Sequence, residues 1–495
     1  MFNEPSATRG FTRQRCSPIA RTVLAGLAVA GALGGCAVMT PAPPPAVDLA
    51  IPPQWIVAGR AAPVTPLAAW WRRYDDPLLV RLVDDALGRN PSILGARAAL
   101  AQSRAAAAVQ SAARLPVLSG SASAQRNHAG DADSSSFRTG FDASWELDVF
   151  GAQRAAMLAV DANTRASAAS LADIQVSVAA EVAINYLNLR GLQAQLAISQ
   201  ASLRSQEKTL ELTGWRVQAG LLTVLEMDQS RAATEQTRSR IPALQTAAAQ
   251  AQYSLAVLTG RAPAALVTAL AAAPATALTE PAELAIAIPA ATLRQRPDVR
   301  AAEERVAAAA ALVTQADAAR LPDFSLGGSL GLNALTAAAL PNGASVVATL
   351  LARVTAPLFD GGAGKARVRA QQAQLEQAGA AYAGIVLGAL QDVEDEMVAL
   401  RNERNRLASL RIAAAAAANA ALLASQRYSA GLVDFQVVLE TERTSLNTQD
   451  AVAASTTDLL ADHVRLYKAL GGGWGSDTPI LFPAPKGVTF RETPP

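Results

Sequence analysis

The strongest constraint on this 495-residue chain is an internal duplication that carries two different periodicities in each copy. Asn90-Pro91-Ser92-Ile93 recurs as Arg296-Pro297-Asp298-Val299, and Ala113-Arg114-Leu115-Pro116 recurs as Ala319-Arg320-Leu321-Pro322, both at an offset of 206. Further on, Arg216 to Leu221 matches Arg427 to Leu432 at an offset of 211. Two halves of one plan follow, because a repeat of this length is a structural unit copied whole. The halves span residues 70–260 and 289–474, with an Ala/Pro/Thr-rich connector at 261–288.

Within each half the hydrophobic period changes twice. From Phe137 to Val149 the odd positions carry Phe, Thr, Phe, Ala, Trp, Leu and Val, while the even positions carry Arg, Gly, Asp, Ser, Glu and Asp. That is period-two alternation, the signature of a strand with unlike faces. A strand of this length with an aromatic-bearing apolar face and a charged face suits a membrane barrel, lipid outside and water inside; a soluble half-buried strand is the alternative. Val117 to Gln125 supplies a partner strand, with Arg126 to Ser136 as a polar loop containing His128. The second half repeats the hairpin with Asp323 to Asn333, a loop through Pro341 and Asn342, and Val346 to Phe359. Gln153 to Thr213 and Lys365 to Tyr428 carry no proline, so each predicts a helix of roughly 60 residues, about 90 Å long at 1.5 Å per residue. Alanine-rich stretches, with aromatics at only 4%, favour close helix packing over an aromatic-filled sandwich. The fold class expected is mostly α with a β-barrel portion.

Four strands cannot close a barrel in lipid, where unpaired edges leave backbone groups unsatisfied at several kcal/mol each. The chain must therefore associate with copies of itself. Two copies give eight strands and a filled interior, three give twelve and an aqueous lumen, and the charged face favours three.

The first 35 residues read as an export leader: Arg9, Arg13, Arg15 and Arg21, an apolar run from Val23 to Leu33, then Gly34-Gly35 before Cys36. Leu33-Gly34-Gly35-Cys36 resembles a bacterial lipobox, which implies a lipid on Cys36; the alternative is an uncleaved membrane anchor over Thr22 to Met39. Ala37 after the cysteine resembles sorting to the outer membrane. Of 43 basic and 41 acidic residues, four and one lie in the leader, so the remainder is nearly balanced, 39 against 40, and nucleic acid is an unsuitable partner. Cys16 and Cys36 are the only cysteines, so once Cys36 is acylated no disulfide or thiolate metal site remains. Residues 36–69, rich in proline, read as an extended tether, and 475–495 as a tail.

Taken together, the lipobox, the duplicated Ala-Arg-Leu-Pro, Trp145 to Gly151, Pro357 to Gly362 and the paired Ala-Gly-Leu turns resemble outer-membrane efflux proteins of the TolC and OprM type, nearest the lipid-anchored NodT-like branch. The resemblance runs from Cys36 to Trp474. It implies a homotrimer whose twelve-stranded barrel continues into a long antiparallel helical tunnel. It also implies two partners, a periplasmic adaptor (membrane fusion) protein and an inner-membrane transporter of RND type, and a passive exit path for small molecules such as drugs. A protein-secretion duct shares the fold, and a periplasmic coiled-coil scaffold is the alternative from another class.

The resemblance also assigns residues. Gly220-Leu221 and Gly431-Leu432, at periplasmic tips near 214–222 and 429–434, match its adaptor-docking turns, although turn chemistry alone explains the glycines. Glu226 matches an acidic residue at the tunnel entrance, while Thr223 three residues earlier makes it equally a capping box. Tyr428 matches a tyrosine that hydrogen-bonds across the closed entrance. Glu440 matches an inward acidic ring, against the alternative of a solvated helix face. Val433 stands where the TolC pattern has a locking arginine. Gly361 to Lys365 lacks the spacing of a phosphate loop and reads as a strand-to-helix bend. Neither His128 nor His463 neighbours a nucleophile or metal cluster, so neither an enzyme nor a cofactor site is expected.

Overall fold

The computed structural model describes residues 69–130, 132–271 and 295–472, together with 55, 56, 280, 281 and 293. The leader, Cys36, nearly all of the tether, most of the connector beyond 271 and the tail lie outside the described residues. The described residues divide into a strand unit, residues 108–159 and 309–375, and a helical unit built from the other described residues.

The strand unit holds one antiparallel meander, β1 (Val117–Ala129), β2 (Ala132–Leu147), β3 (Asp323–Ala334) and β4 (Val346–Thr355), in that spatial order. Opposed residues share a face, so the register assigns every side chain. Phe141 opposite Leu330, Trp145 opposite Leu326, Leu147 opposite Phe324, and Leu330 opposite Ala348 make one face apolar. Arg138 opposite Asn333, Asp142 opposite Ser329, Glu146 opposite Ser325, and Ser325 opposite Arg353 make the other polar. β1 continues both faces, with Leu118 opposite Ala143 and Ser119 opposite Asp142.

The loop expected at Arg126 to Ser136 is instead strand. β1 and β2 pair out to Ala129 opposite Ala132, with Gly130 at φ 62° following the last residue of β1. Polar composition misled here because cross-strand side-chain pairs extend the ladder beyond the apolar band: an ion pair of Arg126 with Asp133 at 2.8 Å and a hydrogen bond between His128 and Asp133 at 2.6 Å. His128 therefore lies in β1. The strands also stop earlier than expected at their other ends. Asp148 caps the next helix by accepting from Gln153 N at 3.0 Å and Arg154 N at 2.9 Å. Asp360 does the same for Gly362 N and Gly364 N at 2.8 and 2.6 Å, which makes Gly361 to Lys365 the expected strand-to-helix bend. Anionic caps at helix N-termini satisfy amides that have no intrahelical acceptor.

The helices repeat in length as well as in sequence. After α1 (Pro77–Arg89) come α2 (Pro91–Ala112), α3 (Ala152–Gln218) and α4 (Val224–Leu258), and then α5 (Pro297–Ala318), α6 (Ala363–Ser429) and α7 (Phe435–Ala469). α2 and α5 are each 22 residues, α3 and α6 each 67, and α4 and α7 each 35. At 1.5 Å per residue the two longest rise about 100 Å. α3 and α6 are long and apolar enough to cross a membrane by length and composition alone, yet burial shows how their apolar stripes are used. In α6, Val386, Val393, Leu400 and Leu407 are buried seven residues apart. In α4, Ser230, Thr237 and Ala251 form one such row, and Thr234, Ala248 and Leu255 another. A repeat of seven is knobs-into-holes packing of long paired helices.

Small residues set how near those helices come. A Cβ on Gly191 of α3 would lie 2.3 Å from Thr457 Oγ1 of α7. Gly260 and Gly471, equivalent by the 211 offset, both take positive φ, and each sits against the residues that precede α2 or α5. The core of the helical unit gathers Trp70, Trp71 and Tyr74 with Tyr186 and Tyr467; Trp70 stacks on Tyr467 at 5.1 Å, and Tyr74 donates to Leu460 O at 2.9 Å. Trp55 fills a second cluster against Val393, Met397 and Leu466.

Candidate functional site

The strand unit presents its site as two surfaces. β1 and β4 are exposed along every residue whose burial is described, whereas β3 is largely half-buried and β2 mixes exposed and half-buried residues. Phe141 is 60% exposed and Leu350 79%, on the apolar face. A sheet with one apolar and one charged face, and with both edges open, has no interior of its own to bury either face. Trp145, the anchor of the alternating pattern, lies on the apolar face and donates from its indole nitrogen to Arg114 O at 2.9 Å. That is an amphipathic ring with one apolar side and one satisfied polar atom, as in the aromatic girdles of membrane barrels.

Both helical tips close identically. At the first, Leu221 N donates to Arg216 O at 2.8 Å and Gly220 N to Val217 O at 3.0 Å, with Gly220 at φ 69°. At the second, Leu432 N donates to Arg427 O at 2.9 Å and Gly431 N to Tyr428 O at 3.0 Å, with Gly431 at φ 72°. This left-handed C-cap requires glycine, because any Cβ is strained there. It does not require the leucines that follow. Leu221 and Leu432 are 73% and 72% exposed, and Val224 and Leu225 extend the first apolar patch.

Glu226 is engaged as the capping box: its Oε2 accepts from Thr223 N at 2.8 Å and from Thr223 Oγ1 at 3.1 Å. Glu440 pairs with Arg443 at 2.8 Å one turn along α7, both on an exposed face. Tyr428 is held differently. Its ring lies 5.3 Å from Phe435, and the Arg216 guanidinium sits 4.8 Å from its centroid. Its hydroxyl is buried with no hydrogen-bond partner among the described residues. Arg216 thus binds one tip to the other, in a region where Val433 is half-buried and uncharged. Nothing in the amino-acid pattern singles out Arg216, since a cation facing a ring has no fixed spacing along the chain.

A second feature was hidden in the duplication. Arg296, 8% exposed, donates to Ala469 O at 2.9 Å, to Asp298 at 2.8 Å and to Asp392 at 3.0 Å. It borders a pocket of about 360 Å³ that also holds Asp173, Glu396, Arg465 and Lys468. Burial, followed by the nearby Asp462, Asp392 and Asp395 and opposed by Arg465, pushes the Glu396 carboxyl up to about 7. The equivalent positions of the first half are Asn90, Ser92, Glu181, Asn185 and Ser254, where Ser254 hydroxyl and Asn185 sit 3.4 Å apart. Among the described residues no group of histidines, cysteines and carboxylates is arranged to hold a metal ion.

A four-stranded, two-faced open sheet joined in one chain to duplicated helical hairpins defines an outer-membrane channel of the TolC-like fold. The chain belongs to the outer membrane efflux protein family, which it matches over residues 82–261 and 288–472, one segment per repeat. It is 32% identical over 457 residues to the pyoverdine export outer membrane protein OpmQ of Pseudomonas putida, covering 88% of this chain and 95% of that one. It is 30% identical to the outer membrane protein OprJ of Pseudomonas aeruginosa, covering 90% and 95%. Among solved structures it resembles the outer-membrane channel OprN, with a TM-score of 0.79 at 33% identity over 86% of this chain and 98% of that chain. The open state of the Neisseria gonorrhoeae MtrE channel gives a TM-score of 0.79 at 26% identity, covering 88% and 98%. The protein is therefore an outer-membrane efflux channel, of a family of ducts rather than of enzymes.

Proposed function

We propose that three copies close their sheets into one twelve-stranded barrel, and that the chain is the passive exit duct of a tripartite pump for small organic molecules. The observation that carries this reading is the register: β2 and β3 send apolar side chains to one face and charged, glycine or small polar ones to the other, and β1 and β4 keep that parity with Val117, Val347 and Leu351 as apolar exceptions on the polar face, while both outer strands stay exposed. Charge on the lumen side, Arg138, Asp142, Glu146, Asp323 and Arg353, keeps the bore wet. Cargo choice rests upstream, because a wet, wide bore offers no enclosed binding site. OpmQ is named for pyoverdine export, and two further relatives are named for toluene efflux in Pseudomonas putida; low-molecular-weight organic compounds are the cargo class proposed here.

The inner-membrane transporter, of RND type, delivers cargo through an adaptor that docks on the exposed Leu221 and Leu432 tips. A lipid on Cys36 anchors the mature chain to the outer membrane. Tyr428 and Arg216 hold the two tips together in the resting entrance. Glu440, repeated three times about the axis, adds a cation-attracting ring, and Glu226 a further acidic group beside it.

Purified protein in planar bilayers tests the duct: stepwise conductance with a native mass of three chains supports it, and a water-soluble monomer without conductance overturns it. Cys36→Ala abolishes incorporation of radioactive palmitate; persistent labelling refutes the anchor. Glu440→Ala lowers cation preference, and unchanged currents remove that residue from the gate.

A further inference from the structure

The two helical hairpins share one plan but not one core. By the offset of 211, residues 192–247 of α3 and α4 correspond to 403–458 of α6 and α7, the half of each hairpin nearest its tip. In the second stretch the buried side chains are mostly apolar: Leu407, Ala417 and Ala424 of α6 and Phe435, Val438 and Leu446 of α7, against Ser445 and Ser455. In the first stretch the balance is inverted. Ser199, Gln206 and Thr213 of α3 and Ser230, Thr234 and Thr237 of α4 are buried, and among the described residues Leu203 is the one buried apolar side chain with them.

These polar residues stand where a coiled coil puts its core. Ser199, Gln206 and Thr213 follow one another at intervals of seven, as do Ser230 and Thr237, so each set is a buried row of its helix. Their polar atoms do not tie the rows together. Thr213 Oγ1 donates to Thr209 O at 2.7 Å and Thr234 Oγ1 to Ser230 O at 2.9 Å, each within its own helix. Ser199 Oγ and Gln206 Oε1 are buried with no partner among the described residues, in side chains 0% and 6% exposed. A buried polar atom left unpaired costs stability, and a polar residue at a coiled-coil core position lowers it further. Arg238 and Glu207, 2.9 Å apart, link α3 to α4 from exposed flanks, where water screens the pair. In the second copy the row of Ser199, Gln206 and Thr213 is Leu410, Ala417 and Ala424.

We infer that the tipward half of the α3–α4 hairpin is a weakly locked seam that admits water and lets its two helices shift, so that the Gly220-Leu221 tip is adjustable while the Gly431-Leu432 tip is fixed. Parting α3 from α4 lets water reach Ser199 and Gln206, which offsets part of the cost of separation. Parting α6 from α7 offers no such return, because it exposes the cluster of Ala424, Phe435 and Val438, with Tyr428 packed against it. The two tips have the same backbone closure, so the difference lies in the helices behind them. The inference deepens the docking role proposed for the tips: a partner reshapes the first and meets the second as it stands.

Amide hydrogen exchange of the full-length channel, purified in detergent and read by mass spectrometry, tests this with no partner present. Peptides from residues 199–240 exchange about ten-fold faster than those from 410–451, because local opening sets the rate. Equal rates, or faster exchange in the second hairpin, overturn the inference. Exchanging the two rows assigns the cause. Ser199→Leu with Gln206→Ala and Thr213→Ala gives α3 the residues of α6 and brings the two hairpins within about three-fold of each other, whereas Leu410→Ser with Ala417→Gln and Ala424→Thr speeds the second hairpin about ten-fold. A ratio unchanged by both sets overturns the polar row as the cause; if either set fails to fold, the wild-type ratio still decides. Since no adaptor is present, equal rates leave the docking reading standing, and an adaptor that ignores the tips leaves the ratio as it is and overturns docking alone.

Discussion

Replacing Gly140 with alanine tests the seam between the hairpins where tolerance is least. The added Cβ would lie 2.6 Å from Gly331 Cα and 2.7 Å from Leu330 O, both backbone atoms held in the β2 to β3 ladder. A flexible side chain could rotate away; a paired backbone moves only by lengthening its own hydrogen bonds. Overpacking costs roughly 1–3 kcal/mol, and each weakened ladder bond adds about 1 kcal/mol. The expected loss is therefore about 2–4 kcal/mol per copy, incurred three times in a trimer. Gly327→Ala is the matched control, on the same sheet face of β3, where the nearest atom to a new Cβ is Leu351 O at 3.8 Å. It is neutral or slightly stabilising, since alanine in a strand interior lowers the entropy lost on folding. Urea titration of the detergent-solubilised protein, read by the loss of the heat-resistant oligomer band, reports both. Equal midpoints for Gly140→Ala and Gly327→Ala would refute the close approach of these strands.

Adjacent residues on opposite faces give a second test. Leu330→Arg on the apolar face costs roughly 2–4 kcal/mol per copy and blocks insertion into lipid vesicles, whereas Ser329→Arg inserts normally and changes only ion selectivity. Glu226→Gln keeps the capping box, which glutamine also satisfies, while Thr223→Ala breaks it and lowers the urea midpoint by about 1 kcal/mol equivalent; a change in conductance with Glu226→Gln alone assigns that residue to the entrance. Glu396 binds its proton more tightly in the folded chain, at about 7, than in the unfolded one, at about 4.3. Its contribution is therefore favourable at low pH and is lost as pH rises from about 4.3 to 7. Glu396→Gln should raise the melting temperature at pH 8, leave it unchanged at pH 4 and flatten the pH profile between; an unaltered profile refutes the shift.

The barrel portion was readable because its two faces alternate in lipid and water, which writes period two directly into Phe137 to Leu147. Helix length was readable from the absence of proline between Gln153 and Thr213, and pairing of the hairpins from the copied Ala-Arg-Leu-Pro. Strand ends were not readable. Arg126, His128 and Asp133 look like loop residues one by one and become strand residues only through their cross-strand pairing. Asp148 continues the polar alternation in the sequence, although its carboxylate, like that of Asp360, caps the helix that follows the strand. At the tips the glycines announced a turn, and Glu226 announced a cap. What escaped is contact between elements distant in sequence: Arg216 on Tyr428, and the Arg296 network, whose signal was the exchange of Asn90, Asn185 and Ser254 for charged residues in the second copy.

Single cysteines placed at each position from 137 to 147, carrying a fluorescent label in reconstituted vesicles, ask directly which face of β2 touches hydrocarbon. Quenchers buried in the acyl chains should dim the odd positions, Phe141 and Trp145 among them, and aqueous quenchers the even ones, Arg138 and Asp142 among them. Labels that respond alike to both quenchers, or aqueous quenching at position 145, would mean that this sheet is not the wall of a membrane pore.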